Sequence, residues 1–224
     1  MRERIVSRLR SFVLEAKIGT FTQFKKIEPF DKLDAETLEK NRQLLMPYYQ
    51  EYIRDVSRPD MAASLELTVF IYTICKLNGY SKLLDMGSGL SSFVFRLYAN
   101  ETPGVQVYSV DDDVAWLEKT KHFLQGHKLE VKGIIPLEEF LSLGELDFDC
   151  ILHDLNFVEV RINHVERLMK IAKHNGIVIF DDAHKTDYSF SLLRMLKKKH
   201  AKLYNLKPVT LDSYGRFSVA AIKE

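Results

Sequence analysis

Acidic residues recur at the ends of apolar runs in this chain. The run KLLDM at 82–86 passes into Gly87-Ser88-Gly89-Leu90-Ser91-Ser92, and VQVYSV at 105–110 passes into Asp111-Asp112-Asp113. FDCILHD ends on Asp154, and GIVIFDD ends on Asp181-Asp182, followed by Ala183-His184. In an open α/β sheet the ligand crevice lies just outside the carboxyl ends of the strands, so these are the side chains placed to do chemistry. Gly87 and Gly89 let the backbone turn tightly and approach a ligand, and the helix start behind them offers free N–H groups to a carboxylate or phosphate. The plain alternative is a tight connection in which Ser91 or Ser92 only caps a helix.

Asp111 sharpens the case, because a carboxylate about twenty-five residues beyond such a bend stands where it accepts hydrogen bonds from both hydroxyls of a ribose. Together the bend and Asp111 predict a ribose-containing cofactor. A dinucleotide site would carry a third glycine at Ser92, and Asp85, just ahead of the bend, would repel a diphosphate. A cationic cofactor fits these residues better.

The elements that must hold these side chains follow from periodicity. Ile5, Leu9, Phe12, Val13 and Ala16 recur at helical spacing, with Gly19 as a stop. A second helix is expected from Asp34, as its cap, to the Met46-Pro47 step, beyond which Tyr49, Tyr52, Ile53 and Val56 continue an apolar stripe. Asp60 is the expected cap of a helix over 61–77 that ends at Asn78-Gly79. From residue 81 the period changes. Apolar runs at 82–86, 105–110, 129–135, 148–154, 176–182, 202–206 and 216–222 alternate with helical stretches at 91–99, 114–125, 158–174 and 188–200. Strands apolar throughout and separated by helices predict a doubly wound, mostly parallel α/β sheet covered on both faces. The connection at 208–215 is too short for a helical crossover, so the last strand is expected to run antiparallel. The division expected is a helical extension over 1–80 and a cofactor-binding domain over 81–224.

With these residues in place, the chain resembles the class I S-adenosylmethionine-dependent methyltransferases. The resemblance rests on LLDMGSGLSS, Asp111, FDCILHD, GIVIFDDAH and the terminal antiparallel pair, and it spans 81–224. It implies a Rossmann-like seven-stranded sheet, with Asp85, Gly87, Ser88, Gly89 and Ser91 beside the methionine part of the cofactor and Asp111 and Asp112 at its nucleoside. Ser91 departs from the pattern, since many members carry a third glycine there. The region 133–139 should contact the adenine, yet it lacks the expected acid or hydroxyl immediately after the third strand.

Asp154, Asp181 and Asp182 resemble, in part, the Mg2+ ligands of metal-dependent small-molecule O-methyltransferases. Three converging carboxylates repel one another, and an oxygen-ligated divalent cation would relieve this while acidifying a bound hydroxyl. Without a metal, Asp181 or Asp182 caps a helix or a loop. In that case His184 is the preferred base, its ordinary pKa lying near the working pH, with Asp154 beside the acceptor. His153 should point to the other side of its strand, and Trp116 should pack its own helix.

Composition excludes several classes. The chain has 224 residues, 46% hydrophobic and 28% charged, and 32 Lys and Arg against 31 Asp and Glu give a net charge of +1. These are globular values, without the basic excess of a dedicated nucleic-acid binder. Arg2, Arg4, Arg8 and Arg10 and the run at 197–199 read as solvated helix faces rather than membrane or RNA contacts. The two cysteines, Cys75 and Cys150, read as reduced core residues. No secretory signal is evident at the start, and the apolar window 65–77 contains Glu66 and is too short to cross a bilayer, so the expected compartment is cytoplasm. The resulting expectation is methyl transfer to a small molecule, at oxygen before nitrogen, with a homo-oligomer left open. The rivals are an NAD-dependent oxidoreductase and a non-catalytic nucleoside-binding protein of the same fold.

Overall fold

A computed structural model describes residues 28–223 apart from 145, 199 and 200, together with Val6, Leu9, Phe12, Val13 and Ala16. Those five are helical and exposed. The rest of the first expected helix, its arginines, Gly19 and the side chains of the lysine run lie outside the described residues. Helix α1 (Ala35–Asp55) starts where the Asp34 carboxylate accepts the Thr37 N–H at 2.7 Å. It runs through Pro47 as one helix of 21 residues instead of breaking there, because its apolar stripe continues on the same face and tertiary packing outweighs one lost backbone bond. Helix α2 (Leu65–Asn78) is capped by Ser64, whose hydroxyl accepts the Leu67 N–H at 3.1 Å, and not by Asp60. Asp60 instead pairs with Arg58 in the preceding turn. Gly79, at φ +63°, closes α2 in the left-handed conformation as expected.

The sheet then builds in order. Strand β1 (Lys82–Met86) leads to α3 (Leu90–Glu101), β2 (Gln106–Asp111) to α4 (Val114–Gly126), and β3 (Ile134–Pro136) to α5 (Leu137–Ser142). Strand β4 (Phe148–His153) leads to α6 (Val158–Arg161), a 3₁₀ turn at Ile162–His164 and α7 (Val165–Ile171). Strand β5 (Ala172–Phe180), α8 (Thr186–Lys198), β6 (Lys202–Asn205), α9 (Lys207–Thr210) and β7 (Val219–Ile222) complete it. The spatial order is β3-β2-β1-β4-β5-β7-β6, with β7 antiparallel to both neighbours and β1 to β5 mutually parallel. This is the expected seven-stranded sheet with an antiparallel last strand.

Two expectations need correction. The third strand is only three residues long, because 129–133 is a loop closed by the Leu129 N–H on the Leu124 carbonyl. The helix expected over 158–174 is broken into three pieces and stops at Ile171, and β5 begins at Ala172.

Successive strand residues point to opposite faces, and the core divides accordingly. Leu83, Leu152 and Ile179 face one apolar cluster with Phe70, Phe93 and Phe123, which also takes in Leu45 and Tyr52 of α1. Leu84, Ile151 and Val178 face a second cluster with Phe140, Leu168 and Leu192. The chain order reverses between β1 and β4, so the crevice of the sheet opens above Asp85, Met86, His153 and Asp154.

Candidate active site

The glycine bend is forced by its neighbours. Gly87 has φ +113°, and any Cβ there would overlap the Asp154 carbonyl oxygen, so the loops after β1 and β4 touch at the switch point. Beneath the bend, Asp85 is wholly buried and its Oδ2 accepts the hydroxyls of Ser91 at 3.0 Å and Ser92 at 2.5 Å. Its other oxygen has no hydrogen-bond partner. Burial pushes the Asp85 carboxyl up to about 7, against the pull of the two serines and of Arg96. Arg96 is itself buried and donates to Ser109 Oγ at 2.6 Å and to the Lys132 carbonyl at 3.1 Å.

Asp111 turns inward over the bend. Its Oδ2 accepts the Ser88 N–H at 2.7 Å and the Ser88 hydroxyl at 3.0 Å, while Oδ1 accepts the Asp113 N–H at 3.0 Å. Burial raises its pKa against these donors. Oδ2 is thus fully used by Ser88, while Oδ1, with one donor, has a second lone-pair direction left for a ligand hydroxyl. Asp112 lies exposed and accepts the Asn156 amide at 2.5 Å, tying the loop after β2 to the loop after β4. The structure thus gathers Asp85, Gly87, Ser88, Gly89, Ser91, Asp111 and Asp112 around one bend.

Two aromatic side chains that the sequence assigned to packing also lie on it. Trp116 donates its indole N–H to the Ser88 carbonyl at 2.6 Å, so it serves the bend and not only its own helix. The Tyr52 hydroxyl lies 3.0 Å from where a Gly89 Cβ would stand, at the start of α3. At that helix start the Ser92 hydroxyl accepts the Gly89 N–H at 3.2 Å. Tyr52 is buried, with its ring 5.0 Å from that of Phe123. Arg54 and Arg58 are exposed and paired with Asp55 and Asp60.

At the ends of β4 and β5 the three acids do not form a metal cage. The Arg161 guanidinium sits among them, with Nη2 2.7 Å from Asp154 Oδ1 and Nη1 3.2 Å from Asp182 Oδ2. Lys185 Nζ lies 2.6 Å from Asp182 Oδ2, and Asp181 Oδ1 accepts the Ser218 hydroxyl at 2.7 Å. Among the described residues no group of three or more His, Cys, Asp or Glu could hold a metal ion. The expected Mg2+ ligation by Asp154, Asp181 and Asp182 is not supported: one oxygen of each acid already faces a protein donor.

Burial pushes Asp154 up, to about 8, against the pull of Arg161, and raises Asp181. Asp182, held by Lys185 and Arg161, lies below the ordinary range.

His184 is half-buried, with Nδ1 3.5 Å from Asp182 Oδ1, and burial lowers its pKa, leaving the ring neutral at pH 7. His153 is fully buried, and its pKa falls to about 3. Its Nε2 lies 2.9 Å from the Arg161 carbonyl, so it braces that residue rather than facing the crevice. Arg161 escaped the sequence reading, although a basic residue seven positions beyond the acid that ends β4 was the available signal. A cavity of about 680 Å³, lined by Arg96, Gln106, Tyr108 and Lys132, lies away from these groups at the opening end of β2.

No protein-family model matches the chain, and no curated protein matches it. Solved structures do. An O-methyltransferase from Bacillus cereus in complex with S-adenosylhomocysteine superposes with a TM-score of 0.61 at 14% identity, covering 92% of this chain and 100% of that one. The O-methyltransferase TomG from Streptomyces achromogenes, involved in tomaymycin synthesis and bound to S-adenosylmethionine, gives 0.59 at 16% identity over 86% and 92%. The methyltransferase PaMTH1 of Podospora anserina, bound to S-adenosylhomocysteine, gives 0.61 at 15% identity over 88% and 98%. At such identities the likeness is one of backbone. With its sheet order and antiparallel β7, this chain has the fold of class I S-adenosylmethionine-dependent O-methyltransferases.

Proposed function

We propose that the protein binds S-adenosylmethionine at the glycine bend and directs methyl transfer to a hydroxyl oxygen of a small molecule. The observation that carries this reading is the Asp111 carboxylate folded onto Ser88 of the bend, beside the switch point of the sheet. When bound, the cofactor would supply an electrophilic methyl group on a sulfonium. Asp111 would hold the ribose hydroxyls, one on the open direction of Oδ1 and the other in exchange for the Ser88 hydroxyl on Oδ2. Asp85, buried ahead of the bend, would supply negative charge toward a cationic ligand, which would favour its ionised form. His184, neutral at pH 7, takes the acceptor's proton, and Asp182 stabilises the imidazolium so formed. Asp154, fixed by Arg161, faces the acceptor. Positioning of this kind supplies much of the rate in a transfer that needs no covalent enzyme intermediate.

Calorimetry with S-adenosylhomocysteine tests the assignment. Asp111→Asn should weaken binding by about 10- to 100-fold, the cost of losing charge-assisted hydrogen bonds. Equal affinity in native protein and variant, or uptake of NAD in place of the thioether, would overturn it.

A further inference from the structure

We infer that Arg161 is a built-in cation that takes the place of a divalent metal at the acidic edge of the sheet, so that the protein works there without one. Arg161 is a positioning residue: its charge draws together carboxyls from two different strand ends, Asp154 after β4 and Asp182 after β5. The placement is built, not incidental. The Arg161 side chain is 5% exposed. Its Nε donates to the carbonyls of Leu155 at 3.0 Å and Asn156 at 3.1 Å, and Nη2 donates to Asn156 at 2.8 Å. Its own carbonyl is met by His153 Nε2. Asn156 and Asp182 are both held at positive φ, +48° and +59°, which turns the two strand ends toward the guanidinium.

A planar guanidinium suits this role. Its fork of donors is rigid, it stays charged, and it is less strongly hydrated than an ammonium or a small divalent ion. Mg2+ demands near-octahedral oxygen ligation and keeps several waters. Asp154 Oδ1 is already taken by Nη2, Asp182 Oδ2 by Lys185, and Asp181 Oδ1 by Ser218. A divalent ion that took Asp154 Oδ1 would have to displace Arg161, which would strand a buried cation. The inference rests on the side chains at this edge and not on the identity of the cofactor, so cofactor calorimetry and the experiments below fail independently.

The test uses the full-length protein, titrated with MgCl2 and separately with MnCl2, and read by thermal melting and calorimetry. Native protein should show no saturable uptake and no rise in Tm with either salt. Arg161→Met, which keeps the side-chain length and removes the charge, should lower Tm by roughly 10 °C, and Arg161→Lys should recover part of that loss. Because the loss reflects stranded carboxylate charge, the double variant Arg161→Met/Asp182→Asn should melt above Arg161→Met, which a purely packing role would not produce. Stoichiometric Mg2+ or Mn2+ uptake by native protein, abolished in Asp154→Asn, would overturn the inference. So would a double variant that melts no higher than Arg161→Met. Should Arg161→Met not fold, the titration of native protein decides alone.

Discussion

Asp85 shows how one buried carboxyl couples the site to pH. Its pKa stands at about 7 in the fold against an ordinary 3.8, and burial is the main cause. Between about pH 4 and 7 the folded chain therefore holds a proton that the unfolded chain has lost, so this group's contribution to stability declines as pH rises through that window and levels off above it. The full effect is at most on the order of 4 kcal/mol. Asp85→Asn keeps one oxygen to accept the Ser91 and Ser92 hydroxyls and carries no charge. The variant should lose this part of the pH slope and unfold at higher denaturant than native protein at pH 8. Urea unfolding at pH 5, 6, 7 and 8 checks this, and parallel slopes for the two proteins would refute it. Asp85 was legible as a site residue in the sequence because it ends an apolar run before a glycine bend. Its raised pKa was not, since that depends on how completely α3 and the two serines close over it.

The bend between β1 and α3 makes a second demand, on space. At Gly87 a side chain would meet both an unfavourable φ of +113° and the Asp154 backbone. Gly79, which closes α2 at φ +63°, has open space within 4 Å of where a Cβ would stand. Gly79→Ala should therefore cost only the left-handed penalty, about 1 kcal/mol, whereas Gly87→Ala should cost about 2–5 kcal/mol through strain and overlap together. Denaturant melts of the two variants measure the difference, and equal losses would show that the β1 and β4 loops are not in contact in solution. The glycines themselves could be picked out from spacing. The partners they touch could not: Tyr52 and Trp116 reach the bend from helices 35 positions upstream and 29 positions downstream of Gly87, and their placement depends on how α1 and α4 lie against α3.

Arg216 ties the loop before β7 to the segment just ahead of α2. It donates to the carbonyls of Pro59, Asp60 and Ala62, just ahead of α2, and pairs with Asp212 at 2.6 Å in the loop before β7. Arg216→Ala leaves three carbonyls and a mostly buried carboxylate without their donor. Stability should fall by about 2–4 kcal/mol, and limited proteolysis should cut faster within 57–64; a protease pattern identical to native would argue that α1 and α2 stay seated without this clamp. Local pattern was enough to establish the doubly wound sheet, its antiparallel final strand, the Gly79 stop and the acids at each strand end, because hydrophobic period and turn chemistry act between near neighbours in sequence. How the three acids are partnered was decided in space. Two strand ends, a break in the helix after β4 and two left-handed residues converge on one guanidinium, and electrostatics between residues distant in sequence leaves no periodic trace. A cluster that reads as a metal site residue by residue thus becomes, once folded, an internal set of ion pairs.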